Sequence, residues 1–299
     1  MKKIFICYLV CLLIVLSSAA ACKAQEPTFR VTWSNEKILP YEDAGLPNLS
    51  SDGEKVVFLR YKDNFNEIWT ITSAGNDAKV ILSDPPIDFN EPVWSPDGTK
   101  VVFIKRDFEM WVINADGAYE GPLTEKKYEK LSPVWWPDGS KIIFFRVDSD
   151  RQGLYVLDFV EKTLKPFGEP EWGGSVTFSP DGKTLLIMDG PDLIFLNLDG
   201  TIKEKRTVKA PLTHGEEPIW TPDGKYIILG NLLYVLATDE EIPFLPDELV
   251  RYKETGKPDL VGPKSITLSK DGKKVAFVME QPNTKIYRAR IKIMDLTWK

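Results

Sequence analysis

The sequence predicts an all-β fold: a six-bladed β-propeller of four-stranded antiparallel blades, in which an N-terminal strand completes the last blade. Three observations predict it. An Asp-Gly pair recurs at intervals of 45, 41, 43, 42 and 48 residues, large apolar residues stand at fixed distances on both sides of it, and each unit has room for four short strands. A repeat of about 40 residues with four strands per unit is typical of a propeller blade.

The register of the repeat is kept along the whole chain. The Asp-Gly pairs begin at Asp52, Asp97, Asp138, Asp181, Asp223 and Asp271. Three residues before each aspartate stands a large apolar residue, namely Leu49, Trp94, Trp135, Phe178, Trp220 and Leu268. Six residues after it stands another, namely Phe58, Phe103, Phe144, Ile187, Leu229 and Phe277. Chance does not produce such a register, so we predict six equivalent units.

The second unit illustrates how each unit divides into strands. The sequence Ser-Pro-Asp-Gly at residues 95–98 favours a type I turn, because proline presets the second position and glycine accepts a left-handed fourth position. The apolar run at residues 100–104 predicts the second strand, and β-branched and aromatic residues at 110–113 predict the third. The turn signal Asp116-Gly117 then leads to a short fourth strand around Leu123.

The sixth unit lacks a fourth strand of its own. The sequence ends at Lys299, soon after the third strand predicted at residues 290–295. Residues 29–39 precede the first turn marker at the distance expected of a fourth strand. We therefore expect them to pair with the last unit, which closes the ring and removes an exposed strand edge.

The repeated sequence Trp-Ser-Pro-Asp-Gly-x-Lys-x-x-Phe, followed by a third strand of the form Ile-Trp-x-Ile, resembles the WD40-like propeller repeats of the TolB family. The similarity spans residues 29–299 and is best in the second and third repeats. The fourth repeat has Phe178 in place of tryptophan, and Ser51 and Lys270 replace proline in the first and sixth. The resemblance implies a propeller in the cell envelope with a tendency to bind protein, without the additional N-terminal α/β domain of the family's best-known member.

The N-terminal residues predict export. Two lysines, an apolar run at residues 4–16 and small residues at 17–21 form the pattern of a signal peptide, which we assign to residues 1–21. Cys22 directly follows three alanines, so we predict a lipoprotein signal with Cys22 acylated; ordinary cleavage near Ala21 or Ala24 is the alternative. Residues 22–28 are then a short tether and residues 29–299 the propeller. The expected location is the periplasm or cell envelope, with membrane contact only through that anchor.

The charge balance argues against nucleic acid as a partner. The chain has 38 basic and 44 acidic residues, and removal of the predicted signal peptide takes away Lys2 and Lys3. A mature chain this acidic repels phosphate backbones.

The sequence offers little catalytic chemistry. Serine hydrolases with similar propellers append an α/β-hydrolase domain, and this chain has neither that domain nor a Gly-x-Ser-x-Gly elbow. His214 is the only histidine, which argues against a multi-histidine metal site. Asp148 begins an imitation of a calcium loop, but Phe159 stands where the bidentate glutamate is required. We therefore predict that the protein is not an enzyme and needs no cofactor or metal.

The loops that lead from one unit to the next should open on one face of the propeller. Aligning the repeats places there the candidate binding residues Asp88, Glu91, Trp172, His214, Glu216 and Glu217. Acidic residues outnumber basic ones at these positions, so we predict a surface that binds a partner with a basic segment, steered by charge. The alternatives are a merely solvated rim, local packing for Trp172, and an ordinary loop position for His214. The insertion at residues 239–261 is predicted to hold the fifth unit's outer strand plus either a binding loop or a solvated linker.

The function that these observations favour is a non-enzymatic, monomeric envelope scaffold for protein contacts. The alternative is binding of a carbohydrate, peptide or other small ligand in the central funnel. A hydrolase or lyase is the least favoured interpretation.

Overall fold

The computed structural model describes residues 31–61, 66–83, 92–105, 108–149, 152–168, 174–210, 217–244, 264–280 and 289–298. These residues form 24 strands, arranged in six four-stranded antiparallel sheets that are the blades of a propeller. The predicted fold class is therefore confirmed.

The strands follow the chain from blade to blade, and the first strand belongs to the last blade. Its residues are β1, Val31–Ile38. Blade 1 consists of β2 (Ala44–Leu49), β3 (Lys55–Tyr61), β4 (Asn66–Thr72) and β5 (Lys79–Leu82), and blade 2 of β6 (Val93–Trp94), β7 (Lys100–Ile104), β8 (Met110–Asn114) and β9 (Tyr119–Pro122). Blade 3 consists of β10 (Glu129–Trp135), β11 (Lys141–Val147), β12 (Gln152–Asp158) and β13 (Leu164–Phe167), and blade 4 of β14 (Ser175–Phe178), β15 (Leu185–Asp189), β16 (Asp192–Leu196) and β17 (Ile202–Thr207). Blade 5 consists of β18 (Pro218–Trp220), β19 (Tyr226–Leu229), β20 (Leu232–Val235) and β21 (Glu240–Pro243), and blade 6 of β22 (Lys264–Leu268), β23 (Lys274–Glu280), β24 (Ala289–Trp298) and β1.

The Asp-Gly turns join the first two strands of each blade. In blade 2, the amide of Gly98 donates to the carbonyl of Ser95 at 2.9 Å, and Gly98 has a φ of 68°. The Asp97 carboxylate accepts the Ser95 hydroxyl at 2.5 Å and the Thr99 amide at 3.1 Å. The carboxylate therefore closes its own turn, a behaviour typical of Asp in turns.

In blade 3 the turn aspartate accepts its hydrogen bond from a different hydroxyl. Trp136 stands where most blades have serine or threonine, so Asp138 lacks the usual hydroxyl donor two residues before it. Ser140 donates its hydroxyl to Asp138 instead, at 2.6 Å. Trp136 packs against Phe178 of blade 4, with ring centroids 4.8 Å apart.

The core lies between neighbouring blades. Each of five described apolar clusters combines residues of two adjacent blades; for example, Phe103 of blade 2 packs with Val57 and Ile68 of blade 1. The apolar residues six positions after the turn aspartates are at most 1% exposed: Phe58, Phe103, Phe144, Ile187, Leu229 and Phe277. The repeat therefore places one fully buried apolar residue on the second strand of every blade.

Strand β1 completes blade 6, as the sequence predicts. It lies beside β24 at the edge of that sheet, in the order β1-β24-β23-β22. Trp33 on β1 contacts Phe277 of blade 6 and Phe244 at the end of blade 5, with ring centroids 6.4 Å and 5.2 Å apart. The N-terminal strand thus joins the last two blades.

The chain divides into two compact units. The larger one, Trp33–Leu296, is the propeller. The smaller one includes Val31, Thr32, Thr297 and Trp298 among the described residues. In its described part, the Thr32 hydroxyl donates to the carbonyl of Thr297 at 3.5 Å.

Candidate functional site

The candidate site is the blade edge where the first strand of each blade begins and the second strand ends, which we call the loop edge. The strand register places these two ends side by side, since Ala44 pairs with Arg60 and Lys130 with Arg146. The Asp-Gly turns lie at the opposite edge, the turn edge. The loop edge is the edge on which the sequence predicts the binding residues.

Most of the predicted binding residues lie outside the described residues: Asp88, Glu91, Trp172, His214 and Glu216, as does the predicted lipidation site Cys22. The described member of the set is Glu217, which directly precedes β18 and makes an interaction of its own. The predicted binding surface therefore stays a prediction.

The first strands of three blades carry the same irregularity near the loop edge. The register shifts between Gly45 and Asn48 in blade 1, and correspondingly in blades 3 and 6. The shift surrounds a non-glycine residue with a left-handed backbone: φ is 49° at Leu46, 50° at Ser132 and 51° at Ser265. Bulges of this kind are common beside functional sites, where they redirect side chains.

An arginine of blade 1 is held at the loop edge by a carboxylate and two rings. Arg60 donates to Asp43 through Nε at 3.3 Å and through Nη2 at 3.1 Å. Its guanidinium lies 4.6 Å from the ring centroid of Tyr41 and 5.0 Å from that of Trp69. Planar arginine suits such stacked, bidentate contacts.

Blade 3 repeats the arrangement. Arg146 donates to Asp148 at 3.0 Å through Nε, and its guanidinium stacks over Tyr128 and Tyr155 at 3.1 Å and 4.7 Å from the ring centroids. The arginine and aspartate side chains are only 12% and 16% exposed. Cation–π contacts and charge-assisted hydrogen bonds are stronger when they are partly buried than when they are fully exposed.

Blade 2 carries a lysine at the equivalent position. The Lys105 ammonium lies 3.4 Å from the ring centroid of Trp111, whose indole N–H donates to Glu109 at 2.7 Å. Arg60, Lys105 and Arg146 all stand two residues after the buried phenylalanine of their second strand. That common offset was a sequence signal for these cations, although none of the three is among the residues predicted to form the binding surface.

A buried lysine connects a loop within blade 2 to the loop between blades 2 and 3. Lys130 is 1% exposed, and its ammonium donates to the carbonyls of Phe108, Glu125 and Tyr128 at 2.8, 2.9 and 2.8 Å. Three carbonyl acceptors satisfy all three protons of an ammonium group. Lys130 therefore fixes the loop that presents Tyr128 to Arg146.

A groove of about 570 Å³ lies between blades 4 and 5 on the turn edge. Phe195 and Trp220 form its apolar side, with a T-shaped contact at 5.9 Å. On its polar side, Arg206 donates to Asp239 at 2.8 Å, and Asp239 also accepts the Tyr234 hydroxyl at 2.7 Å. Burial raises the pKa of Tyr234 to about 12, helped by the Asp239 charge. These bonds tie blade 4 to blade 5.

Two further findings concern the described residues alone. No group of three or more His, Cys, Asp or Glu side chains among them is arranged to hold a metal ion. None of their elements is a helix long and apolar enough to cross a membrane.

Comparison with solved structures places the fold. TolB from Acinetobacter baumannii superposes with a TM-score of 0.57 at 16% identity, covering 83% of this chain and 67% of that one. The fold is that of a TolB-like β-propeller. No protein-family model matches the sequence, and no curated protein matches it.

Two enzymes share this propeller architecture. An oligogalacturonate lyase from Vibrio parahaemolyticus has a TM-score of 0.55 at 10% identity, covering 90% of this chain and 97% of its own. A gluconolactonase from Xanthomonas campestris has a TM-score of 0.61 at 13% identity, covering 86% of this chain and 87% of its own. At these identities the likeness concerns the fold.

The prediction that this protein is not an enzyme is wrong, because two propeller enzymes share its fold. One of the grounds for that prediction was the absence of an appended hydrolase domain. The lyase and the gluconolactonase match over nearly their whole lengths, so a propeller without such a domain can carry an activity. Catalysis is therefore open to this fold, and its function has to be argued from the loop edge.

Proposed function

We propose that the propeller is a TolB-like scaffold of the cell envelope that binds another protein through its loop edge. One observation carries the proposal: Arg60 and Arg146 are each fixed by a carboxylate and two aromatic rings at that edge. A surface that is ordered before binding loses less conformational entropy when a partner docks, which favours affinity.

The chemistry of the partner follows from charge. The arginines of the loop edge are paired with carboxylates of their own blades, so they add little net charge to the surface. The unit-connecting loops contribute Asp88, Glu91, Glu216 and Glu217, in a chain with a net charge of −6. A partner with a basic segment is therefore the one we propose, with charge accelerating encounter and aromatic contact from Trp172 contributing affinity.

The predicted export signal supports an envelope location. Acylation of Cys22 would place the propeller at a membrane surface with a short tether, residues 22–28, before the first strand. We propose that the protein is monomeric and that the tether leaves its loop edge available to a partner.

The second candidate is a small ligand, or a reaction on one, at the loop edge. The left-handed residues Leu46, Ser132 and Ser265 favour it, because three blades contribute the same redirected backbone. The solved lyase and gluconolactonase make an acidic sugar or a sugar lactone the class of ligand to try first.

A crosslinking pull-down from native envelopes distinguishes these candidates. The bait is the chain from residue 22, and the test variant is Glu216→Lys with Glu217→Lys. A matched control, Glu54→Lys with Glu240→Lys, makes the same charge change at exposed positions away from the loop edge. We expect one protein to be recovered by the parent and the control but lost by the test variant.

The opposite result has a defined meaning. If no protein is recovered, or if the test variant recovers everything the parent does, the scaffold proposal is wrong. The same preparation is then incubated with oligogalacturonate and with gluconolactone, and product is measured. Turnover in that assay would favour the second candidate.

A further inference from the structure

The tryptophan of the repeat is buried in two blades and partly exposed in a third. Trp94 of blade 2 and Trp135 of blade 3 are 5% and 6% exposed. Trp220 holds the same repeat position in blade 5, but it is partly exposed and lines the groove between blades 4 and 5. Its indole nitrogen is buried, so a ligand in the groove would meet the carbon atoms of the ring.

The residue that covers the tryptophan differs between blades 3 and 5. It is Phe159 in blade 3 and Leu236 in blade 5, and in both blades its amide donates to the carbonyl five residues after the tryptophan, at 2.8 and 3.1 Å. The ring of Phe159 lies 5.0 Å from that of Trp135. Leucine fills less space than phenylalanine, which contributes to the opening beside Trp220.

The preceding blade contributes polar side chains to this opening. Between blades 1 and 2, Ile81 of β5 belongs to the apolar cluster that contains Trp94. Between blades 4 and 5, β17 instead brings Lys203, Glu204 and Arg206 to the groove. The groove therefore combines aromatic carbon with charged side chains, and its volume of about 570 Å³ is that of a small-ligand site, roughly 300–1,000 Å³.

The charged side chains keep hydrogen-bonding groups that the described residues do not use. Asp181 and Asp223 accept the bonds of their own turns through Oδ1. Oδ2 of Asp223 is 3.8 Å from the Lys225 ammonium, and neither Oδ2 accepts a hydrogen bond from the described part of the chain. Arg206 donates through Nε and Nη1, which leaves Nη2, and Lys203 donates one bond, at 3.3 Å. Acceptors and donors are therefore both present.

The charges of the groove nearly balance. Its lining includes three carboxylates and two cations: Asp181, Glu204, Asp223, Lys203 and Arg206. Arg206 is also paired with Glu204 and Asp239. An anionic ligand would meet more carboxylates than cations, and a cationic ligand would compete with Lys203 and Arg206 for the same carboxylates. A neutral ligand that both donates and accepts hydrogen bonds fits this lining.

We propose that the groove between blades 4 and 5 binds a neutral saccharide. The C–H face of a pyranose ring would pack on the carbon atoms of Trp220. A sugar hydroxyl can donate to a carboxylate and accept from a neighbouring cation at the same time, as this mixed lining requires. The groove lies on the turn edge, so the inference goes beyond the proposed function, which concerns the loop edge.

Calorimetric titration tests the inference. The protein is the chain from residue 22, which includes every described strand, with Cys22→Ser so that no acyl chain is attached. The probes are the neutral disaccharides maltose, cellobiose and N,N′-diacetylchitobiose, with digalacturonate as the acidic comparison. We expect at least one neutral disaccharide to bind with a Kd of about 1 mM or tighter, and digalacturonate to bind at least about tenfold more weakly.

Variants of the groove locate the site. Leu236→Phe should close the groove, because phenylalanine at this position covers Trp135 in blade 3, and we expect a loss of about tenfold in affinity. Lys203→Ala should weaken binding about threefold by removing a hydrogen-bond donor. Lys205→Ala is its control, since Lys205 lies on the same strand, pairs with Asp192 and does not line the groove. Circular dichroism verifies that each variant is folded.

Three results would overturn the inference. The first is that no neutral disaccharide binds at this level, and the second is that digalacturonate binds more tightly than all of them. The third is unchanged affinity in the Leu236→Phe variant; if that variant does not fold, equal affinities of Lys203→Ala and Lys205→Ala have the same meaning. The Glu216→Lys, Glu217→Lys variant should bind the disaccharide as the parent does, so a failure here is distinct from a failure of the envelope pull-down.

Discussion

The aspartates of the Asp-Gly turns act on their own backbone. Hydrogen bonds from the preceding serine hydroxyl lower the pKa of Asp52, Asp97 and Asp181, and the Ser140 hydroxyl does so for Asp138. At Asp271 the Lys273 amide is the main cause, and the pKa falls to about 2. The repeated carboxylates therefore favour the ionised state because the turn is folded, which is a structural use of the residue.

Because folding lowers the pKa of Asp97, the stability lost in the Asp97→Asn variant should depend on pH. The folded-state pKa of Asp97 is lowered, so its charge contributes stability above the unfolded pKa of about 4, and that contribution is lost as pH falls through the folded pKa. We expect the variant to be less stable than the parent at pH 6, with the difference shrinking toward pH 2. Urea unfolding across this range measures it.

Asp77→Asn is the control for that measurement. Asp77 is exposed in the turn between β4 and β5 of blade 1, which is not the Asp-Gly turn. Its substitution reports the general effect of removing one negative charge. A stability difference for Asp97→Asn that stays constant with pH would contradict the linkage.

Elements of neighbouring blades are joined by a recurring contact. A cation on the fourth strand of one blade donates to a carbonyl in the turn between the third and fourth strands of the next blade. Lys37 of blade 6 bonds Ala74 of blade 1 at 2.7 Å, and Lys79 of blade 1 bonds Asp116 of blade 2. Arg206 of blade 4 reaches Leu236 of blade 5 at 2.5 Å. Between blades 3 and 4, Gly200 lies close to Gly168 at the end of the fourth strand of blade 3.

The beginning of β14 requires a glycine because the backbone of β15 lies too close for a side chain. Gly174 has a φ of 113°, and a Cβ there would collide with the carbonyl oxygen of Met188 on β15. Gly75, with a φ of 82°, has nothing within 4 Å of its Cβ position. We therefore expect Gly174→Ala to destabilise the protein by about 3 kcal/mol or more and Gly75→Ala by about 1 kcal/mol. Urea unfolding of both variants measures the difference, and equal losses would mean that the collision at β14 is relieved without cost.

The larger features of the molecule were predictable because they repeat. Asp-Gly spacing and the buried residues six positions later determine the six blades, and the missing outer strand of the last unit predicts β1. The loop edge was predictable only in part. The stacking of Tyr128 on Arg146 and the three carbonyls around Lys130 join residues from different loops, and their approach depends on how those loops fold. The sequence repeat gives no information on how closely these loops approach one another.

The non-glycine bulges show the same limit. Ser132 and Ser265 carry a hydroxyl that Leu46 lacks, and none of the three is a residue type that favours a left-handed backbone on its own. The bulge is imposed by how the first strand pairs with the second. The exclusion of enzymes failed for a related reason, since a missing domain says nothing about what the propeller's own loops can do.

Closure of the ring is the property of the whole molecule that one strand controls. Strand β1 covers the edge of β24, and Trp33 bridges Phe244 and Phe277, so its ring links blade 5 to blade 6. We expect Trp33→Ala to reduce the free energy of unfolding by about 1–3 kcal/mol, because a partly buried aromatic contact between blades is lost. Ile38→Ala changes a 47% exposed residue of the same strand and should stay within about 0.5 kcal/mol of the parent. Urea unfolding followed by circular dichroism measures both. Equal stabilities for the two variants would mean that β1 closes the ring through its backbone pairing alone.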